Sequence, residues 1–418
     1  MKATQNSSLW EAFRFFEEAL GVLSQSPQTD EMKRDQIELR LDLASPMISL
    51  GFPEDSLDVL KEGERLSKEV GDTKSFITFH SITGLCHSVK GDPLAGVTYG
   101  EDCLKVAEET RDVDLIAPIA FDLCSNYGAR GDFIKVARLA PRALSMLEQT
   151  GKTGESFGRG YNIYSALSAL CGFGEGYMGR IDKGIRLCEK AMRVANEVKN
   201  LYSLGLGEIL YGYIYCTKGD GKEALPHFQR SIQHLETGQI FVLLGLAWSG
   251  IGWAHYYMGD LKAARSLMEK GLALQREAGV TYDFSVHFWF LATVHCDLGE
   301  WNKAQEYAEE AVRLAHRNDE MYVEGISKIV LGRILTLSGN WQGTGAEESI
   351  LQGIRILNRL KITTLSALGH LCLAELYLIS NRRIRALKPF YISQRIFRKT
   401  GMEYWLKRTQ DSLKELRS

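Results

Sequence analysis

At 418 residues the chain exceeds the size at which one hydrophobic core stops growing, so several domains or a repeat array are the starting expectations. Its 45% apolar and 24% charged residues exclude a largely disordered chain, and a net charge of −2 excludes a uniformly basic nucleic-acid or lipid binder. Gly at 40 residues against Pro at 8 favours unbroken helices joined by short turns.

Met1 to Ser8 are polar and lack the apolar core of a signal peptide. Residues 8–25 then read as one amphipathic leading helix, with Ala12, Phe16 and Ala19 on one face. From Gly51 onward a turn tag recurs: Leu50-Gly51, Lys90-Gly91-Asp92, Arg130-Gly131-Asp132, Met178-Gly179-Arg180, Lys218-Gly219-Asp220, Met258-Gly259-Asp260, Leu298-Gly299-Glu300 and Ser338-Gly339-Asn340. Ser380-Asn381-Arg382 is a degenerate ninth copy, and successive spacings are 40, 40, 48, 40, 40, 40, 40 and 42 residues. A second tag, such as Val70-Gly71-Asp72 or Thr400-Gly401, follows about 20 residues after each first one. Each unit therefore holds two helical segments with a turn after each, where Gly or Asn supplies a left-handed stop.

The segments between tags carry a 3.6-residue period. In residues 261–278 small or apolar residues recur at Ala263, Ala264, Leu267, Met268, Gly271, Leu272 and Leu274. No run alternates long enough to propose a sheet. The predicted fold is all-α: one right-handed superhelical solenoid over 1–418, of about nine antiparallel helix pairs with turns near 51, 91, 131, 179, 219, 259, 299, 339 and 381. A leading half-repeat opens it, and a capping helix over 402–417 covers its last apolar face.

Several local features dissolve into this register. Residues 240–259 lack any Asp, Glu, Lys or Arg and have the length of a membrane span, yet they keep the repeat spacing and so read as a buried helix. Gly174-Glu175-Gly176-Tyr177-Met178-Gly179 matches GxGxxG but ends a helix instead of following a strand, so it does not read as a nucleotide site. Gly151-Lys152-Thr153 lacks the preceding Gly of a phosphate loop. His87, His255 and His295 share one repeat position, four residues before a turn Gly, which points to packing and not to a metal site. The eight cysteines form no CxxC pair and read as buried thiols of a cytoplasmic protein. With no catalytic constellation in view, an enzyme, a cofactor and a metal are not expected.

Small residues fall where paired helices must approach, at Gly84, Gly172, Gly212, Gly252, Ala292, Gly332 and Ala374, seven residues before each turn. A second small series, Gly184, Ala224, Ala264, Ala304 and Ala386, sits five residues after it. This pattern resembles the tetratricopeptide (TPR) repeat in a 40-residue version. With the 48-residue fourth unit and Tyr404-Trp405-Leu406, the chain is similar to the C-terminal TPR region of large bacterial proteins that join an adenylate/guanylate cyclase or kinase domain to an AAA-type ATPase. The resemblance implies a scaffold or sensor region of a larger bacterial signalling protein, with attached cyclase or ATPase domains as possible partners.

In such repeats ligand contacts come from first-helix positions six and three residues before the turn Gly. Here those positions place Phe173, Tyr213, Trp253 and Tyr256 in the middle of the concave groove, with Trp289 one turn earlier and Arg333 following. Aromatic anchors beside an Arg suit a protein or peptide partner. They suit equally a small-molecule inducer, and a tight superhelix would pack the same rings against one another. The connector Lys152–Asn162, rich in Gly, is expected to be mobile and able to fold over the groove mouth. A pheromone receptor would need a DNA-binding segment ahead of the array, for which the unit before Gly51 leaves no room. Residues 381–418 carry 11 Lys+Arg against 3 Asp+Glu and read as a solvated cap or as a surface for an acidic partner. Neither nucleic acid nor membrane is expected as a partner, and the oligomeric state is left open.

Overall fold

The computed structural model describes residues 7–25, 29–339 and 345–417. Met1–Asn6 and Asn340 of the eighth turn tag lie outside the described residues. Among the described residues every regular element is a helix. It begins with α1 (Ser7–Ser24), α2 (Asp30–Asp42), α3 (Ala44–Ser49), α4 (Ser56–Glu69), α5 (Thr73–Val89), α6 (Pro93–Thr110), α7 (Val113–Arg130) and α8 (Phe133–Gln149). The middle comprises α9 (Ile163–Tyr177), α10 (Ile181–Glu197), α11 (Leu201–Lys218), α12 (Gly221–Thr237), α13 (Leu244–Tyr257), α14 (Leu261–Glu277) and α15 (Phe284–Asp297). It ends with α16 (Trp301–Arg317), α17 (Met321–Leu337), α18 (Ala346–Arg359), α19 (Thr363–Ile379), α20 (Arg383–Thr400) and α21 (Glu403–Arg417).

The turn tag works because it stops one helix and starts the next within two residues. Gly91 adopts φ +92°, and the Asp92 amide donates to the His87 carbonyl at 2.8 Å, closing α5. The Asp92 carboxylate then accepts from the Ala95 amide at 3.0 Å and caps α6. Asp220 and Asp260 repeat the cap on Glu223 and Ala263. The first unit departs from the pattern. Its first helix is split into α2 and α3 at Leu43, because Pro46 has no amide proton to donate to the carbonyl of Asp42.

Helices α5, α7, α9, α11, α13, α15, α17 and α19 line the inside, and their partners form the outer layer. The inner helices are buried on almost every side; α9, for example, has 14 of its 15 residues buried. The candidate membrane segment contains α13, only 14 residues long, and no helix among the described residues is long and apolar enough to cross a membrane.

The superhelix closes on itself. The Tyr282 amide donates to the Val89 carbonyl at 3.0 Å, and Phe241 does the same to Ser49 at 3.2 Å. Lys90 Nζ donates to the Gly279 carbonyl, and Thr364 Oγ1 to the Tyr177 carbonyl, across 189 and 187 residues of sequence. Arg130 pairs with Asp319 at 2.7 Å. A little under five units therefore make one superhelical turn, and the second turn sits on the first along a continuous seam. The seam passes over the early turn glycines. A Cβ on Gly131 would lie 2.6 Å from the Cβ of Tyr322, whereas one on Gly259 would meet nothing within 4 Å.

Candidate functional site: two interior cavities

Closing the superhelix turns the expected open groove into an interior, and the sequence-predicted residues sit inside it. Tyr213, Trp253, Tyr256 and Trp289 are buried, while Phe173 and Arg333 are half-buried. The rings pack against their neighbours, as a tight superhelix requires. Trp253 stacks on Tyr256 at 4.8 Å and on Phe290 at 4.5 Å, and Phe173 packs between Phe133 and Tyr177.

Unfilled spaces remain within this packing, including one in each half of the chain. The cavity in the C-terminal half, about 50 Å³, brings together Trp253, Tyr256, Trp289 and Arg333 with Thr293, Glu375, Trp405 and Arg408. Tyr213 belongs to a smaller adjoining space that shares Trp253 and Trp289, and Phe173 borders neither. Two ion pairs frame the cavity. Arg333 Nη2 lies 2.6 Å from Asp297 Oδ1, and Tyr256 Oη donates to the other oxygen of Asp297 at 2.6 Å. Arg408 donates from Nη2 and Nε to Glu375 Oε1 at 2.8 and 3.1 Å. Burial pushes the Cys296 thiol up to about 11 and the cavity-facing Cys372 thiol up to about 12. Both are protonated at neutral pH and neither is an activated nucleophile.

The second cavity, about 90 Å³, lies in the N-terminal half among Ile48, Leu85, Ser88, Phe121, Ser125, Tyr161, Tyr202 and Tyr282. Its character is set by the connector between α8 and α9. That connector was expected to be mobile; the structure corrects this. Arg159, Tyr161 and Asn162 are each 1% exposed. Arg159 donates to Asp122 Oδ2 from Nε at 3.1 Å and from Nη2 at 2.7 Å. Tyr161 and Ser81 donate to the same carboxylate, at 3.1 and 2.8 Å. Asn162 caps α9 through Ser165. The connector's glycines serve turns with positive φ at Gly151, Gly158 and Gly160 rather than mobility.

The three equivalent histidines face the following outer helix or turn. His295 pairs with Glu300 beside Tyr307, His87 lies over Tyr99 at 5.4 Å, and His255 is 3.9 Å from Asp260. Among the described residues no group of three His, Cys, Asp or Glu could hold a metal ion. Gly174 and Gly176 of the GxGxxG match lie inside α9, against Phe133 and Ile214.

Sequence reasoning missed Trp405 and Arg408 as cavity residues, and Asp297 as the carboxylate that holds Arg333 beside them. Glu375 and Thr293 do occupy the six-before-turn position that marks the inner face. The first two come from α21, whose approach to the interior depends on the superhelical pitch.

A tetratricopeptide repeat family model matches residues 249–278, which cover the latter part of α13, the Gly259 turn and α14. No curated protein matches the chain in sequence. Among solved structures the chain is similar to a Rap protein complexed with competence and sporulation factor, at 12% identity and a TM-score of 0.60, covering 93% of this chain and 100% of that one. It is also similar to the Rap conjugation gene regulator of plasmid pLS20 in complex with the Phr* peptide, at 14% identity and a TM-score of 0.54, covering 88% and 97%. A chain of the APC/C hetero-tetramer Cut9–Hcn1 resembles it at 13% identity and a TM-score of 0.55, covering 96% and 73%. At these identities the likeness is one of fold.

Proposed function

We propose that this tetratricopeptide-type superhelix is a non-catalytic sensor that binds a peptide segment in the interior of its C-terminal half, against Trp253, Tyr256, Trp289 and Arg333. The observation that carries the reading is the cavity itself. Aromatic faces and two Arg–carboxylate pairs surround a space that the chain's own side chains leave unfilled. Aromatic and Arg anchors of this kind dominate peptide-binding energies. Two of the similar structures are, by their descriptions, complexes with competence and sporulation factor and with a peptide.

The charged groups around the cavity are paired and its thiol, Cys372, is protonated, which favours binding over chemistry. A cavity of about 50 Å³ holds only a few waters, so a peptide enters as the two superhelical turns part along the seam. The same small volume supports a second reading, a compact small-molecule inducer held in the closed state. A thermal-shift screen separates them: short peptides raising Tm support the first, metabolites alone raising it replace the first with the second. No shift from either class contradicts both.

The resemblance to TPR regions of cyclase–ATPase fusions supports a regulatory role within a larger signalling protein. A reading frame running into such a domain upstream of Met1 is the expected finding, and a start codon there with its own ribosome site overturns it.

A further inference from the structure

Most exposed large apolar side chains are scattered singly, as is usual for a protein surface. Among the described residues, only two pairs stand seven residues apart in one helix: Phe15 with Val22 on α1, and Ile384 with Tyr391 on α20. A seven-residue spacing puts both members on one helical face. Phe15 and Val22 are 69% and 68% exposed, and Ile384 and Tyr391 are 86% and 48% exposed.

Each pair is interleaved with exposed charge of one sign. On α1 the stripe reads Glu11, Phe15, Glu18, Val22. On α20 it reads Ile384, Lys388, Tyr391, Arg395. Among the described residues none of these four charged side chains takes part in an ion pair. Helix α20 carries six basic and no acidic residues, and α1 carries three acidic and one basic. The steps along α1 are four, three and four residues, and those along α20 in reverse are also four, three and four. Laid antiparallel, Glu11 meets Arg395, Phe15 meets Tyr391, Glu18 meets Lys388 and Val22 meets Ile384.

We propose that these stripes dock on each other between copies of this chain, α1 of one copy lying antiparallel on α20 of the next. The partner is a second copy because the complementary stripe, matched in step, sign and apolar position, is on this chain. The contact joins different surfaces of the two copies, so it propagates head to tail into a ring or a short filament. Two helical faces of this length bury less than the ~800 Å² per partner of a standard interface, which makes the association weak and salt-sensitive. It is independent of what the interior binds.

The test is sedimentation velocity of the full chain across a concentration series, at low and high salt. The expected result is concentration-dependent association at low salt that high salt weakens. The variants E11K/E18K and K388E/R395E should each lose about 10-fold in association constant, since each juxtaposes like charges. Mixing the two variants should restore association, because each mutated stripe then meets an oppositely charged one. All four sites are exposed, and an unchanged Tm checks that each variant is folded. A monomer at every concentration, variants that associate like the wild type, or a mixture that stays dissociated each overturn the proposal.

Discussion

The two interior cavities are lined from the same repeat positions and end up chemically opposite. Ile48, Leu85, Ser88 and Ser125 in the N-terminal half correspond to Trp253, Tyr256, Thr293, Arg333 and Glu375 in the C-terminal half. In the first, an eight-residue excess in one unit delivers Arg159 and Tyr161 into the interior, where a fully buried ion pair makes the region part of the core. In the second, both ion pairs keep some exposure, with Arg408 at 31% and Asp297 at 21%. One half is locked by its own chain, and the other keeps its ion pairs partly exposed.

The comparison breaks most readily at Arg159. Arg159→Ala leaves Asp122 buried and without its cation, and unfolding in denaturant should show a loss of about 3–5 kcal/mol. Arg408→Ala is expected to lose under about 1 kcal/mol, since its pair with Glu375 is partly solvated. Equal losses would mean that the halves are not differently locked.

The seam joining the halves carries a pH signature. Glu320, at the residue preceding α17, is 1% exposed, and burial pushes its carboxyl up to about 7. Ser285 and Asn318 donate to it, Arg317 lies on its own side, and the buried Asp283, itself raised by burial, faces it. A carboxyl raised in the folded state favours the folded chain when protonated, and that contribution is lost as pH rises through about 7. Relative to Glu320→Gln, the wild type should lose about 2–3 kcal/mol between pH 5 and pH 8. Comparing the two removes the contribution of His287, which burial lowers to about 3 in both. Parallel Tm–pH curves for the two proteins would contradict this assignment.

A smaller contrast tests the seam sterically. Gly131→Ala must displace Tyr322 in addition to straining a φ of +85°, whereas Gly259→Ala meets only the strain of φ +87°. Losses of roughly 2–3 kcal/mol against roughly 1 kcal/mol are expected in thermal unfolding. If the two substitutions cost the same, the turns of the superhelix do not touch there.

Much of this was legible in the sequence, for a physical reason. Helix period, Gly stops and Asp caps act within a few residues, so the tags at Gly91-Asp92 and Gly259-Asp260 report local structure directly. Pitch is not local. It accumulates from small rotations between units and brings Tyr282 to Val89 without leaving a pattern in either segment. For that reason the sequence leaves the aromatic residues between an open groove and a closed packing, and it assigns Trp405 and Arg408 of α21 to a terminal cap without placing them beside those rings. The connector's Gly content suggests freedom, but Arg159 is held by Asp122 of α7, 37 residues away in sequence, whose carboxylate also accepts from Ser81 of α5.

The most direct test of the central claim is affinity selection of a random peptide library on the full chain, followed by calorimetry of the selected peptides on two variants. The account predicts at least about a 10-fold loss of affinity on Trp253→Ala and a change of less than about 3-fold on Ser125→Val. Peptides that ignore Trp253 and are lost on Ser125→Val would contradict it, as would a selection that yields no binding peptide.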